Sequence, residues 1–431
     1  MSGGSSGGST TSAALGPLGG PARSAEGHST RAAHGADLVL SLNAGSSSLK
    51  FALFDAVVPA AGLPTALLRG EIDTPGGRPL LRWSRAGEPE RELVPPALRG
   101  DIGAEVGWLI DWLQRELGYP APRHVAHRIV HGGLHYDAPV AITPQVLREL
   151  RELVQLAPLH QGPGLAGVDA AREALPHARQ VACFDTAFHA GHADAERRYA
   201  IPRVWHERGY QRYGFHGLSY DAISQRLPAL LGARAEQRVV VAHLGSGASL
   251  CGLHGLRSVT TSMGFTALDG LVMGTRCGAL DPGLVLQWFQ HDRLRPEQVS
   301  DLLYRHSGLL GVSEISADVR DLLASADARA RQALDLFVAS IVRQLGGVVA
   351  TLGGIDALVF TGGIGTHQPP IRAAVVERLR WLGLVLDTRA NDAGDMHIAA
   401  SDSRIPLLVL RTDEEAVMAL HAMPRATGAA R

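Results

Sequence analysis

Apolar and polar positions along the chain fall into two alternating kinds of segment. LVLSLNAGSSSLKFALFD, from Leu38 to Asp55, is an apolar run, a Gly/Ser turn and a second apolar run, the pattern of two strands joined by a turn. A related pattern returns at VVVAHLGSGASLCGLHG, Val239 to Gly255. VACFDTAFH (Val181 to His189) and ALVFTGGIG (Ala357 to Gly365) are strand-like runs that end in polar or glycine loops. Between these segments, Val106, Leu109, Ile110, Leu113 and Leu117 share one helical face, as do Leu334, Phe337, Ile341, Leu345, Val348 and Leu352. Strands alternating with helices predict an α/β architecture. Recurrence of the strand–loop signal in both halves points to a duplicated domain, with a ligand site in the cleft between the copies.

Residues 1–36 are Gly/Ser-rich and of low complexity. Such a segment buries too little apolar surface to offset its ordering entropy, so a disordered tail is expected there. The chain has 431 residues, 45% of them hydrophobic and 19% charged, with a formal net charge of -1. These are ordinary values for a soluble enzyme of about two to four domains. The near-zero charge points to neither nucleic acid nor an anionic membrane surface as a partner. No continuous apolar run of about 18 residues stands out, so no transmembrane helix is expected, and the polar start lacks the apolar core of a signal peptide. Cys183, Cys251 and Cys277 are odd in number and far apart. That argues for reduced thiols and a cytoplasmic setting.

Of the 41 lysine plus arginine residues, only Lys50 is lysine. A compact ammonium and a planar guanidinium fork are not interchangeable, so a lone lysine in an arginine-rich chain marks a candidate functional group. It ends the turn Asn43-Ala-Gly-Ser-Ser-Ser-Leu-Lys50. There Gly45 permits close backbone approach, Ser46, Ser47 and Ser48 supply hydroxyls, and turn N–H groups can bind anions. A polar hairpin turn is the plainer reading of the same residues, and no G-x-x-x-x-G-K-[ST] loop is present. His243-Leu-Gly-Ser-Gly-Ala-Ser249 reads the same way, and two such loops could grip one polyphosphate. His127, His131 and His135 are four apart, but Gly132-Gly133 breaks the helix that would align them as metal ligands. Cys277, beside Arg276, reads as a packing residue rather than a reactive thiol.

NAGSSSLKF, HRIVHGG, LAPLH, FDTAFH, RYGFHG, TSMGFT, GTR, DVRDL and FTGGIG follow one another collinearly from Leu38 almost to the C-terminus. In these stretches the chain resembles the acetate kinases, within the sugar kinase, Hsp70 and actin superfamily. The resemblance implies two actin-like (ribonuclease H-like) domains facing a central cleft. It implies an N-terminal domain over 37–185 with a short return of chain near the C-terminus, a C-terminal domain over 186–420 and a tail over 421–431. It further implies reversible phosphoryl transfer between ATP and acetate, with Mg²⁺ or alternatively Mn²⁺, in a homodimer built on the C-terminal domains.

Residue by residue, Arg128 resembles the arginine that holds the substrate carboxylate. Arg276 and His216 resemble the pair that stabilises the transferring phosphoryl. Asn43 and Glu414 resemble the residues around the metal. Asp185 matches the catalytic aspartate; because a short carboxylic acid is already ionised near neutral pH, it is expected to orient the metal, its waters or an arginine rather than to take a proton. By the same resemblance, Lys50, Ser46 and Ser48 are expected to face the donor phosphates. The resemblance implies that the nucleotide lies across His243, Leu244, Gly245, Ser246 and Gly247, across Asp318, Val319 and Arg320, and across Gly363, Ile364, Gly365, Thr366 and His367. Val130, Leu159, Phe215 and Ala267 match the positions that wall the family's pocket for the acetate methyl.

The family usually has Asn at Ser246, Phe at Val319, Glu-Asn at Thr366-His367 and Pro at Ala267. LAPLH continues as Gln161-Gly-Pro-Gly and FDTAFH as Ala190-Gly-His, both off the family pattern. These departures bear on adenosine binding and on acyl chain length; alanine for proline predicts that propionate is accepted. A catalytically silent ligand-binding relative, or a kinase using another donor such as pyrophosphate, stand as alternatives.

Overall fold

The computed structural model describes residues 37–45, 48–74, 78–95, 98 and 101–424; the side chains of residues 158–160 lie outside it, as do Ser46 and the tail expected over residues 1–36. The first hairpin forms where the pattern places it. Strand β1 (Leu38–Ala44) pairs antiparallel with β2 (Ser48–Asp55), setting Asn43 opposite Lys50. Strands β3 (Leu68–Asp73), β4 (Leu80–Arg85) and β5 (Arg91–Leu93) extend the sheet beyond β2. On the other side β6 (His124–Ile129) runs parallel to β1, and β8 (Arg179–Phe184) parallel to β6, with β7 (Val140–Ala141) antiparallel at the edge.

The second sheet repeats the plan. Strands β9 (Val239–Leu244), β10 (Ala248–His254) and β11 (Arg257–Thr261) are antiparallel neighbours, and β12 (Ala357–Thr361) and β13 (Leu407–Val409) follow in parallel beyond β9. Thus β3-β2-β1-β6-β8 and β11-β10-β9-β12-β13 have one topology, the duplication expected from the sequence. All residues of β1 and β12 are buried, which is why these strands read as continuous apolar runs rather than alternating ones.

Helices cover the sheets. The Ile102–Arg115 helix starts where the Asp101 carboxylate accepts the Gly103 N–H, and it buries Val106, Leu109, Ile110 and Leu113. The Ala328–Leu352 helix is capped by Asp327 and ends at Gly353 in the left-handed conformation. Its stripe of Phe337, Ile341, Leu345 and Val348 lies in the core against the second sheet, each side chain contributing roughly 1.5–3 kcal/mol by burial. By length and composition alone this helix could cross a membrane, against the expectation of no such segment. Its buried stripe explains the composition: it is the central core helix of the second half.

Two further helices set up the site. The Glu414–Ala422 helix packs Ala416, Val417, Met418 and Ala419 onto the first sheet, returning the chain to the ends of β1 and β6. The Gly217–Leu231 helix joins both halves: Leu218 and Ala222 pack with Val39 and Ala126 of the first sheet, Tyr220, Ile223 and Leu227 with Val239 and Val241 of the second. Positions three and four apart point to one side of a helix, so each sheet receives its own face.

Candidate active site

Parallel strands expose their functional side chains at their carboxyl ends, where the chain turns away. Asn43 at the end of β1, Arg128 near the end of β6 and Asp185 just after β8 are adjacent through the strand register. Arg128 donates from Nε to both Asp185 carboxylate oxygens at 3.1 Å and from Nη2 to Oδ2 at 2.6 Å. Its Nη1 donates to the Asn43 side-chain oxygen at 3.1 Å. The Asp185 side chain is 2% exposed and that of Arg128 21%; the carboxylate is sealed while the guanidinium stays partly exposed. These bonds use one hydrogen on each nitrogen, and Nη1 and Nη2 each carry a second.

Asn43 in turn donates from Nδ2 to Glu414 and Glu415, 3.2 Å each. Burial pushes the Glu414 carboxyl up to about 7; Asp185 and Glu415 add to the rise, and Arg128 and Lys50 oppose it. Three carboxylates therefore crowd one asparagine amide and one arginine. Lys50 extends from β2, exposed, beside Asn43 and opposite Glu71 of β3.

The second sheet supplies the other wall. His243 ends β9, and its ring stacks on that of His216 at 4.3 Å. Burial pushes His243 down to about 4, helped by Arg128 and Lys50. His216 lies well below the ordinary histidine range, first through burial and then through His243, Arg128 and Arg276. Two neutral rings thus sit among three cations, an arrangement that favours an anion between them. His216 Nδ1 meets the Ser249 hydroxyl at 2.8 Å, and Tyr220 bonds the same hydroxyl. A side chain at Gly247 would start 3.2 Å from His216 Nε2 and 3.5 Å from Arg276 Nη2, so glycine is what lets this turn approach both groups. Arg276 also donates from Nη1 to the Ala267 carbonyl at 2.8 Å, and burial lowers its pKa.

The three segments expected to hold a nucleotide meet at this turn. Gly245 packs against the backbone nitrogen of Gly363. Gly274 donates to the Ser246 carbonyl and lies against Ala317, next to Asp318. The glycine loop expected after β12 is a six-residue helix, Gly362–His367, in which Thr366 donates its hydroxyl to the Gly362 carbonyl; Ile364 is half-buried, Gly365 buried and His367 exposed. The side chains of Leu244 and Val319 lie in the second hydrophobic core, so only their backbones border the turn. Arg320 is exposed and paired with Asp318.

Val130, Phe215 and Ala267 line one cavity of about 570 Å³, which continues along Phe265, Ser300 and Tyr304. Leu159 lies in the Pro158–Ala174 helix with its side chain outside the described residues, and Ser46 is likewise outside; Ser48 opens β2, half-buried. The three spaced histidines do not converge. His127 is buried on β6 against Gln180, His131 packs edge-on against Tyr213, and His135 is exposed. Glu415, Ser249 and Tyr220 were not singled out from the sequence, although Ser249 closes the second glycine turn.

Two copies of one sheet, with a cluster of arginines, carboxylates and neutral histidines where their strand ends meet, define a kinase of the actin-like class. The acetokinase family model matches residues 38–420. An acetate kinase of Rhodopseudomonas palustris is 46% identical over 400 residues, covering 91% of this chain and 99% of the relative. Among solved structures, Porphyromonas gingivalis acetate kinase matches with TM-score 0.79 and 33% identity, over 90% of this chain and 99% of that one. A Francisella tularensis propionate kinase matches with TM-score 0.80 and 30% identity, over 89% and 98%. The chain belongs to the acetokinase family.

Proposed function

We infer that the chain is an acetate kinase, transferring the γ-phosphoryl of ATP reversibly to the carboxylate of acetate, with propionate as a second substrate. The observation that carries this reading is the Arg128–Asp185–Asn43–Glu414 cluster set against His216, Arg276 and the Gly247 turn. The second N–H groups on Arg128 Nη1 and Nη2 take the acetate carboxylate, and the methyl enters the cavity at Val130, Phe215 and Ala267. One carboxylate oxygen forms a bond to the γ-phosphorus as the bond to the bridging oxygen of ADP breaks. No proton moves, because the acceptor is already ionised. Catalysis is then positioning and charge neutralisation, for which Arg276 and the neutral His216 Nε2 stand beside the turn. Lys50, His243, Gly245, Ser246, Asp318, Arg320, Gly363 and His367 form the nucleotide side.

Among the described residues no three His, Cys, Asp or Glu side chains make a metal cage. Mg²⁺ does not need one: it keeps several waters and takes one or two carboxylates with substrate phosphates. Half-buried Glu414 beside Asp185 and the Asn43 amide oxygen fits that habit, and these residues would hold it. When bound, Mg²⁺ supplies charge neutralisation at the phosphates. Division into domains over 37–185 and 186–420 belongs to this proposal. So does a homodimer, which is supported by the Pro282–Gln290 helix, none of whose residues is buried and which exposes Leu284, Leu286 and Phe289. A cytoplasmic setting is supported by the free thiols of Cys183, Cys251 and Cys277. The relatives' names do not favour a silent ligand binder. Trapping acyl phosphate as hydroxamate, with ATP or pyrophosphate as donor and formate to butyrate as acceptors, tests the reading; hydroxamate with ATP and acetate is expected, and none with any pair overturns it.

A further inference from the structure

Behind the FDTAFH and RYGFHG segments lies a buried polar cluster with no part in the chemistry above. His189 Nδ1 lies 2.7 Å and His192 Nε2 2.6 Å from the Ser258 hydroxyl oxygen, and Cys251 Sγ is 3.2 Å from the same atom. His189 Nε2 lies 3.0 Å from the Phe215 carbonyl oxygen. All four side chains are buried.

The protons in this cluster have one arrangement. A carbonyl only accepts, so His189 Nε2 carries hydrogen and donates to Phe215. A neutral imidazole has a single N–H, so Nδ1 is an acceptor and takes the Ser258 hydroxyl proton. Ser258 then has no hydrogen left, and His192 donates to it from Nε2. Burial supports the neutral rings, pushing His189 down to about 3 and His192 to about 4. The chain of bonds runs one way, from His192 through Ser258 and His189 to the Phe215 carbonyl.

That carbonyl joins two site residues. Phe215 lines the acyl cavity. His216 follows it with φ 61, a left-handed conformation that a residue other than glycine adopts at some strain. The next residue, Gly217, donates its N–H to the Asp185 carbonyl at 2.9 Å. The peptide group before His216 is thus held at its carbonyl by His189, and the one after it by Gly217 and by the Tyr220 N–H, which donates to the His216 carbonyl at 3.1 Å. The His189 ring also fills the space at Gly214, φ 74, where a side chain would start 2.7 Å from it. We propose that His189, fixed in tautomer by Ser258 and His192, is a positioning residue that holds the Phe215 carbonyl and so sets both the His216 ring at the phosphoryl position and the Phe215 wall of the acyl pocket. This inference rests on the acetate kinase reading of the site.

The test compares His189→Leu, His189→Gln and Ser258→Ala with the unmodified chain. Glutamine keeps an N–H donor at the Nε2 position; leucine keeps volume but no donor. Small misplacement of reacting groups lowers rate steeply, so His189→Leu is expected to lower kcat about thirtyfold. It should also change the acetate-to-propionate ratio of kcat/KM and leave the KM for ATP within about twofold. His189→Gln should recover kcat to within about threefold of the unmodified chain, and Ser258→Ala should fall between. Circular dichroism and Tm confirm that each variant is folded. Equal kcat in folded Leu and Gln variants, or a loss confined to Tm, overturns the positioning role. Should His189→Leu not fold, the Gln and Ser258→Ala rates still decide, because unchanged kcat in Ser258→Ala contradicts the chain of bonds. Absence of acyl phosphate formation in the unmodified chain would instead sink the functional reading itself.

Discussion

The two sheets repeat one topology and bring opposite chemistry to the cleft. At the ends of β1, β6 and β8 the first sheet presents charge: Asn43, Arg128 and Asp185, joined by Glu414 and Glu415. At the ends of β9 and β12 the second sheet presents mostly small residues and backbone, in His243–Gly247 and Gly362–His367. A small anionic acceptor offers few atoms to grip, which suits the proposed acceptor half, built from side chains locked by ion pairs. A polyphosphate is long and rich in acceptor oxygens, so close backbone approach serves the other half. On the proposed function the same scaffold separates acceptor recognition from donor recognition, and variants on each side should fail differently.

The largest effect is expected from Arg128→Ala, which removes the carboxylate anchor and leaves Asp185 sealed without its cation. kcat/KM for acetate should fall about a thousandfold, and urea unfolding should show a loss of about 3 kcal/mol. Retained activity would move acceptor recognition elsewhere. On the donor side, Gly247→Ala places a methyl against His216 Nε2 and Arg276 Nη2. Steady-state rates should drop about thirtyfold while stability stays within ~1 kcal/mol, since the turn borders the cleft rather than the core; an unchanged rate would mean that the turn does not approach the phosphoryl group.

Smaller effects sharpen the comparison. Ala267→Pro narrows the acyl cavity by roughly one or two methylenes, and the acetate preference over propionate should rise about tenfold, or ~1.4 kcal/mol. An unchanged ratio would remove Ala267 from the pocket wall. Glu414→Gln tests the crowding of carboxylates through stability. A carboxyl raised from 4.5 to about 7 in the folded chain binds more protons folded than unfolded between those values. Stability therefore falls as pH rises through that window. Replacing it by the neutral amide removes this loss. Without metal, Glu414→Gln should melt about 2–4 °C higher than the unmodified chain at pH 8 and at nearly the same temperature at pH 4.5. An equal offset at both pH values would show that Glu414 is not destabilised by its neighbours.

Much of this was legible in the chain. The Leu38–Asp55 and Val239–Gly255 hairpins and the two amphipathic helices form where their apolar periodicity places them, because both signals are local. Arg128, Asp185, His216 and Arg276 stood out through their motifs. What stayed hidden depends on long-range convergence. Glu415 reaches Asn43 across most of the chain, and the resemblance marks only its neighbour Glu414. Ser249, Tyr220 and His189 act through neighbours, which only the folded arrangement identifies. The Gly362–His367 helix reads as a loop in the sequence because two glycines open it, a composition that argues against helix unless tertiary packing decides. The long Ala328–Leu352 helix shows the converse: its apolar content, sufficient on its own for a membrane span, is accounted for by burial in the second core.

The separation of acceptor from donor is tested most directly by initial rates of acyl phosphate formation in Arg128→Lys, with acetate and ATP varied in turn. A lysine keeps the charge but loses the fork. The expected result is a KM for acetate raised at least tenfold, with the KM for ATP within about twofold of the unmodified chain. A raised KM for ATP with that for acetate unchanged would contradict the assignment of the first sheet to the acceptor.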